Sequence, residues 1–134
     1  MAEIHPRLIA DCIPLQRLTL CHLLLMNDSN YPWFILVPDR EGIREIYQLD
    51  DPDRAQLLRE SCQLGEFLMR HFAGHKLNVA ALGNQVPQLH LHHIVRHEDD
   101  PAWPAPVWGR HPPIAYTTQA IDEVRAALAG LGRR

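Results

Sequence analysis

At 134 residues the chain can hold one domain with a sizeable core and not two. Its 46% hydrophobic and 22% charged residues are ordinary for a globular protein, and a formal charge of −3 excludes a global basic field that would recruit nucleic acid. Cys12, Cys21 and Cys62 form no C-x-x-C pair, no apolar run approaches the ~18 residues of a membrane span, and "MAEIHPRLIADC" lacks a basic stretch followed by an apolar one. A soluble, cytoplasmic protein without disulfides, signal peptide or membrane segment is therefore expected.

In chain order, "LTLCHLLLM" (residues 18–26) predicts a strand that ends at the turn cluster "NDSNYP". "WFILV" (33–37), closed by Pro38, predicts a second strand that pairs with the first as a hairpin across residues 27–32. A long helix follows in "LDDPDRAQLLRESCQLGEFLMRHFAGH". Asp51 is read as its N-cap, Pro52 as its first helical position and Gly74 as its stop. Leu57, Leu58, Leu64, Phe67, Leu68 and Phe72 form its apolar stripe, which reads as core packing. "LNVAAL" (77–82) predicts a strand leading into a turn at Gly83 and Asn84, and "QLHLHHIV" (88–95) a strand after Pro87. The segment "HEDDPAWPAPVWGRHPP" reads as a packed loop. A last helix is expected after Thr117 or Thr118, with Ile121, Val124, Leu128 and Leu131 on one side and Gly130 and Gly132 at its end. This order indicates one α+β domain over 1–134 with a mainly antiparallel sheet, its core at about 5–105 and a loop and helix over 106–134.

Four of the nine histidines lie in "QVPQLHLHHIVRH". Side chains on a strand alternate faces, so Gln88, His90 and His92 share one face while Leu89, Leu91 and His93 share the other. The leucine face reads as core, and the Gln-His-His face as a polar row on the opposite side of the sheet. That row admits three readings. It can be a solvated sheet face. It can be part of a metal site, which would need a third ligand such as His97 or Asp99, although neither has a recognisable spacing. Or it can be a nucleophilic site. A neutral imidazole whose other nitrogen is held by an acceptor can attack phosphorus, and a second imidazole can stabilise phosphoryl oxygens or relay a proton. His93 should point away from His90, and His97 and His111 read as surface residues of the loop. Trp103 and Trp108 could stack on a base, although packing is the commoner role of such residues.

The stretch "NVAALGNQVPQLHLHHIVR" resembles the core of the histidine triad family of nucleotide hydrolases and transferases, which carries His-φ-His-φ-His-φ-φ on a strand, φ being apolar. Here the matching residues run Gln88-Leu89-His90-Leu91-His92-His93-Ile94. "LLLMNDSNYPWFILVP" resembles the family's hairpin, and the helix near Asp51 falls where the family has its long helix. The likeness thus covers residues 18–96 in order.

The resemblance implies the family's fold, with a long central helix and a C-terminal helix, and usually a homodimer. It implies a nucleotide-conjugate substrate and no bound metal or other cofactor. His90 stands at the nucleophile's position, where a nucleotidyl-histidine would form at the α-phosphate, and His92 beside the phosphate. Asn84 and Gln85 stand where the family holds phosphate oxygens, Asn78 near an asparagine close to the scissile phosphate, and Asn27 and Asp28 in the turn that meets the ribose. The sequence departs from the pattern twice. Gln88 stands in place of the first triad histidine as a catalytic-site residue; its side chain could orient a neighbour or hydrogen-bond a phosphoryl oxygen, but it cannot titrate. Trp33 stands where the family often has a histidine. A nucleoside phosphoramidate or dinucleoside polyphosphate hydrolase is the leading expectation. A catalytically weak nucleotide-binding or regulatory module of the same fold is the alternative.

Overall fold

The computed structural model describes residues 2–131. A short helix α1 (Pro6–Asp11) runs directly into strand β1 (Cys12–Arg17), followed by β2 (Cys21–Met26) and β3 (Trp33–Pro38). After a 3-10 turn at Ile46–Gln48 come helix α2 (Asp51–His71), β4 (Lys76–Ala80), β5 (Leu91–Arg96) and α3 (Thr118–Leu128). The five strands form one antiparallel sheet in the order β1-β2-β3-β5-β4. The α+β class, the hairpin across residues 27–32, the long helix and the last helix match the reading above.

The differences have local causes. The N-cap of α2 is Asp50, one residue before the expected Asp51, because it is the Asp50 carboxylate that accepts the Asp53 N–H, at 2.9 Å. Leu58 is 65% exposed and stands off the apolar stripe; at 100° per residue the buried row runs through Leu57, Glu60, Ser61, Leu64 and Leu68. The helix ends at His71, and Ala73 rather than Gly74 adopts the left-handed conformation (φ 50°). Gly74 serves close packing instead, since a Cβ there would come within 2.6 Å of both the Met69 sulfur and Val95. Residues 18–20 form the β1–β2 turn and not strand, and α1 and β1 were not foreseen. The strand expected over 88–95 begins only at Leu91, so His90 precedes it. Thr117 caps α3 through its side chain, and Leu128 and Leu131 pack into the core; Gly132 lies outside the described residues.

The sheet is covered on both faces, which is why β3 reads as a continuous apolar run and not as an alternation. One face packs Leu23, Leu25, Phe34, Leu36, Leu91 and Val95 against Leu57, Leu64 and Leu68 of α2. The other packs Leu24, Trp33, Ile35, Val37 and Ile94 against Leu8 of α1, Tyr31, Val86, Ala102 and Val107. The buried Glu60 carboxylate ties α2 to the β1–β2 turn by accepting the Leu20 and Cys21 N–H groups, each at 2.9 Å. Among the described residues no helix is long and apolar enough to cross a membrane.

Candidate active site

β5 sits between β3 and β4, so its backbone is paired on both edges and its side chains are held to one face or the other. His93 falls on the α2 face, as its alternate position predicts, and is fully buried. A backbone carbonyl can only accept, so its contact with Leu91 O (3.1 Å) puts the proton on Nδ1; Nε2 then accepts from the Ser61 hydroxyl at 2.7 Å. Burial pushes its pKa down to about 4.

His90 and His92 lie on the opposite face with their ring centroids 4.8 Å apart. The polar row expected there is not solvated: His90 is 5% and His92 3% exposed. The covering comes from elsewhere in the chain. Trp33 of β3 and Trp108 of the loop both pack against the His92 ring, at 5.8 and 5.2 Å between centroids. The same donor–acceptor logic settles both tautomers. An indole N–H can only donate, so Trp33 Nε1 donates to His92 Nδ1 (3.0 Å), and His92 Nε2–H donates to Leu82 O (2.9 Å). His92 is thus held neutral with both nitrogens in use. Burial pushes its pKa down to about 4, reinforced by the neighbouring His90 and His93 and opposed by the Leu82 carbonyl. His90 is the reverse tautomer: Nδ1–H donates to Gln88 O at 2.7 Å, leaving Nε2 as a basic lone pair.

Gly83 lies against this ring. A Cβ at residue 83 would come within 2.8 Å of His90 Cε1 and 2.7 Å of Val86 O, so the turn needs glycine for close approach. His90 and His92 open into a cavity of about 360 Å³ that Arg7, Asp11, Met26, Leu82, Asn84, Gln85 and Trp108 also line. A second compartment of about 490 Å³ shares Arg7, Asp11, Met26 and Trp108 with the first and reaches Asn27, Asp28, Trp33 and His111. The two make one cleft, with the imidazoles at one end and the β2–β3 turn at the other.

The structure therefore brings His90, His92, Asn84, Gln85, Asn27 and Asp28 to one cleft. Asp28 is 5% exposed; its Oδ1 accepts from Asn30 N, Asn30 Nδ2 and Ile114 N. Asn27 accepts from Tyr116 N at 2.9 Å, so this turn also anchors the chain that leads into α3. Two residues behave differently from expectation. Asn78 sits on β4 opposite Ile94, and its carbonyl accepts from Arg96 Nη1 (2.9 Å), part of a buried network with Asp100 whose three residues line neither compartment of the cleft. Only the main-chain carbonyl of Gln88 meets His90. Its side-chain amide accepts from His5 N (2.8 Å) and donates to Glu3 O (2.9 Å), fastening the N-terminal segment. Trp103 packs on Arg96 and His75, while Trp108 is a cleft wall. His97 bonds to Phe72 O, and His111 lines the outer compartment. Among the described residues no group of three His, Cys, Asp or Glu side chains is placed to hold a metal ion.

Sequence reasoning missed Arg7 and Asp11, which enter the cleft on the unforeseen α1. The signal was present in "HPRLIADC": His5 caps the helix by accepting Arg7 N, and Pro6 opens it.

The HIT domain family matches residues 10–99 of this chain. No curated protein matches it. A solved histidine triad protein from Marinobacter aquaeolei VT8 is 54% identical, with a TM-score of 0.95 over 98% of this chain and 96% of that one. One from Bradyrhizobium japonicum is 42% identical, with a TM-score of 0.93 and 95% of each chain covered. One from Sinorhizobium meliloti 1021 is 39% identical, also at 0.93, covering 95% of this chain and 94% of that one. With this match to more than half its length and these likenesses along nearly all of it, the chain belongs to the HIT domain family.

Proposed function

We propose that this protein hydrolyses or transfers at the α-phosphate of a nucleotide conjugate, with His90 as nucleophile. The observation that carries the reading is the His90 Nδ1–H bond to the Gln88 carbonyl, which leaves the lone pair on Nε2 of a ring that lines the cleft. In the first step Nε2 donates its electron pair to the α-phosphorus, the bond from phosphorus to the leaving group breaks, and that group departs with the electrons and takes a proton from water. The imidazole retains its Nδ1 proton and becomes cationic, a charge the carbonyl dipole stabilises. In the second step water attacks phosphorus and gives its proton to the hydroxide left by the first step, the P–N bond breaks with its electrons returning to Nε2, and the nucleotide leaves with His90 restored. Gln88 takes the first triad position. It contributes through its main chain, and its side chain cannot supply a proton.

The cleft supports the remaining assignments. His92 packs beside the nucleophile and fixes its orientation. Asn84 and Gln85 line the inner compartment and would donate to phosphate oxygens, and Asp28 Oδ2, which has no hydrogen bond among the described residues, would accept from a sugar hydroxyl. Trp108, which walls both compartments, offers a ring to a base, and a nucleoside phosphoramidate or dinucleoside polyphosphate fits this division of labour. The three cysteines are free, in keeping with a reducing cytoplasm. A homodimer is the assembly the family resemblance implies; β4, one of the two edge strands of the sheet, carries the 47%-exposed Val79.

One observation favours a second reading, a weak hydrolase that chiefly binds nucleotide. Neither Gln88 nor His92 has a free proton donor for the leaving group. AMP release from adenosine phosphoramidate and from a diadenosine polyphosphate, wild type beside His90→Ala, separates the two. Release that the substitution abolishes establishes the nucleophile. Bound nucleotide without release from either conjugate establishes the binding module.

A further inference from the structure

The cleft has an electrostatic gap. A phosphoryl group beside His90 brings negative charge, yet Asp11 and Asp28 line the same cleft. The triad positions do not offset this before the attack. His92 is neutral with both nitrogens bonded, His90 has one nitrogen bonded and the other serving as a lone pair, and the Gln88 side chain is uncharged and bonded to Glu3 and His5. Of the residues common to both compartments, Arg7 is the one cation.

We propose that Arg7 is the phosphate-binding cation of this site and that Asp11 holds it in reserve while the cleft is empty. The inference rests on the nucleotide reading above. Arg7 Nε lies 3.8 Å from Asp11 Oδ2, with the two side chains 60% and 54% exposed. So long and solvated a pair is worth little, and the guanidinium leaves it at small cost. The planar fork of arginine then offers parallel N–H groups to phosphoryl oxygens. The backbone of Arg7 is placed firmly even though its side chain is not. Its N–H is held by His5 Nδ1, Leu8 next to it is 4% exposed, and Gln88 fastens Glu3 and His5. Gln88 is thereby a positioning residue: it sets α1, and with it Arg7, against the cleft.

Calorimetric titration of the full chain with AMP and with adenosine tests this, because the two ligands differ only in the phosphate. Arg7→Ala, a change at an exposed side chain, should weaken AMP roughly tenfold, as loss of a charged hydrogen bond does. Adenosine affinity should stay within about twofold, since only the phosphate meets Arg7. Arg7→Lys should recover part of the loss, and Asp11→Asn should tighten AMP without changing adenosine. AMP binding unchanged in Arg7→Ala, or equal weakening of both ligands, overturns the assignment while leaving the nucleotide reading in place. Wild type that binds neither ligand overturns both.

Discussion

Acidification should destabilise this fold well before its carboxylates titrate. His92 and His93 are buried neutral with pKa values pushed down to about 4, against 6.5 for the unperturbed side chain. The folded state therefore binds fewer protons than the unfolded chain, and stability rises with pH. It is fully present above about pH 6.5 and is lost as pH falls toward 4. The full difference is about 3 kcal/mol per histidine, of which about 2 kcal/mol is gone at pH 5, so the pair should cost about 4 kcal/mol between pH 7 and 5. The shifted carboxylates do not contribute in that window. Asp39 is held low chiefly by the Ala2 N–H, and Asp100, despite burial, by Arg96 and three backbone N–H groups, so their stabilisation is lost only below the ordinary carboxylate value of 3.8. Denaturant unfolding at pH 7 and pH 5 measures the difference, and the Hε1 resonances of the two rings should stay at their neutral positions down to about pH 5. Replacing the Ser61–His93 pair by Ala and Leu removes one proton site together with its partner, and should halve the pH-dependent loss. A loss below about 1 kcal/mol, or ring titrations centred near pH 6.5, would refute the reasoning.

Two further outcomes follow from single contacts. Trp33→Phe keeps the ring packing but removes the only donor to His92 Nδ1 among the described residues, so it should cost about 1–3 kcal/mol of unfolding free energy, the penalty of an unpaired buried acceptor. Nitrogen chemical shifts should show the proton still on His92 Nε2, since the Leu82 carbonyl accepts there, with Nδ1 left unpaired. Gly83→Ala places a methyl group against His90 Cε1 and the Val86 carbonyl; it should lower conjugate turnover at least tenfold, with a smaller effect on adenosine binding, in a steady-state AMP-release assay. Unchanged turnover would mean that the 80–87 loop shifts without disturbing the imidazole.

Much of the architecture was legible in the sequence because it is written in local periodicities. The alternation Leu89-His90-Leu91-His92 separated the leucines from the two imidazoles, and the α2 core does take Leu89 and Leu91. The aspartates and proline before α2 marked its start to within one residue, since capping is a contact between near neighbours. The segment 6–17 was not legible. Its helix is a turn and a half long, and β1 is an edge strand with a bulge near Pro14, so neither period repeats enough to stand out.

What the sequence by itself determined is the α+β order, the hairpin, and the placing of His90 and His92 on the same side of the sheet. Tertiary structure decided the rest, because it depends on contacts between residues far apart in the chain. Trp33 of β3 and Trp108 of the distant loop meet over His92 and turn a polar row into a buried site. Gln88 reaches across the fold to Glu3 and His5, and only its main-chain carbonyl meets His90. Asn78 is drawn to Arg96 because that buried guanidinium needs acceptors, and Arg7 enters the cleft because Leu8 beside it packs under the same sheet face. The pattern of residue types fixes which side of a strand an imidazole occupies; its charge, its tautomer and its neighbours are set by desolvation and by donors and acceptors that only the folded chain assembles.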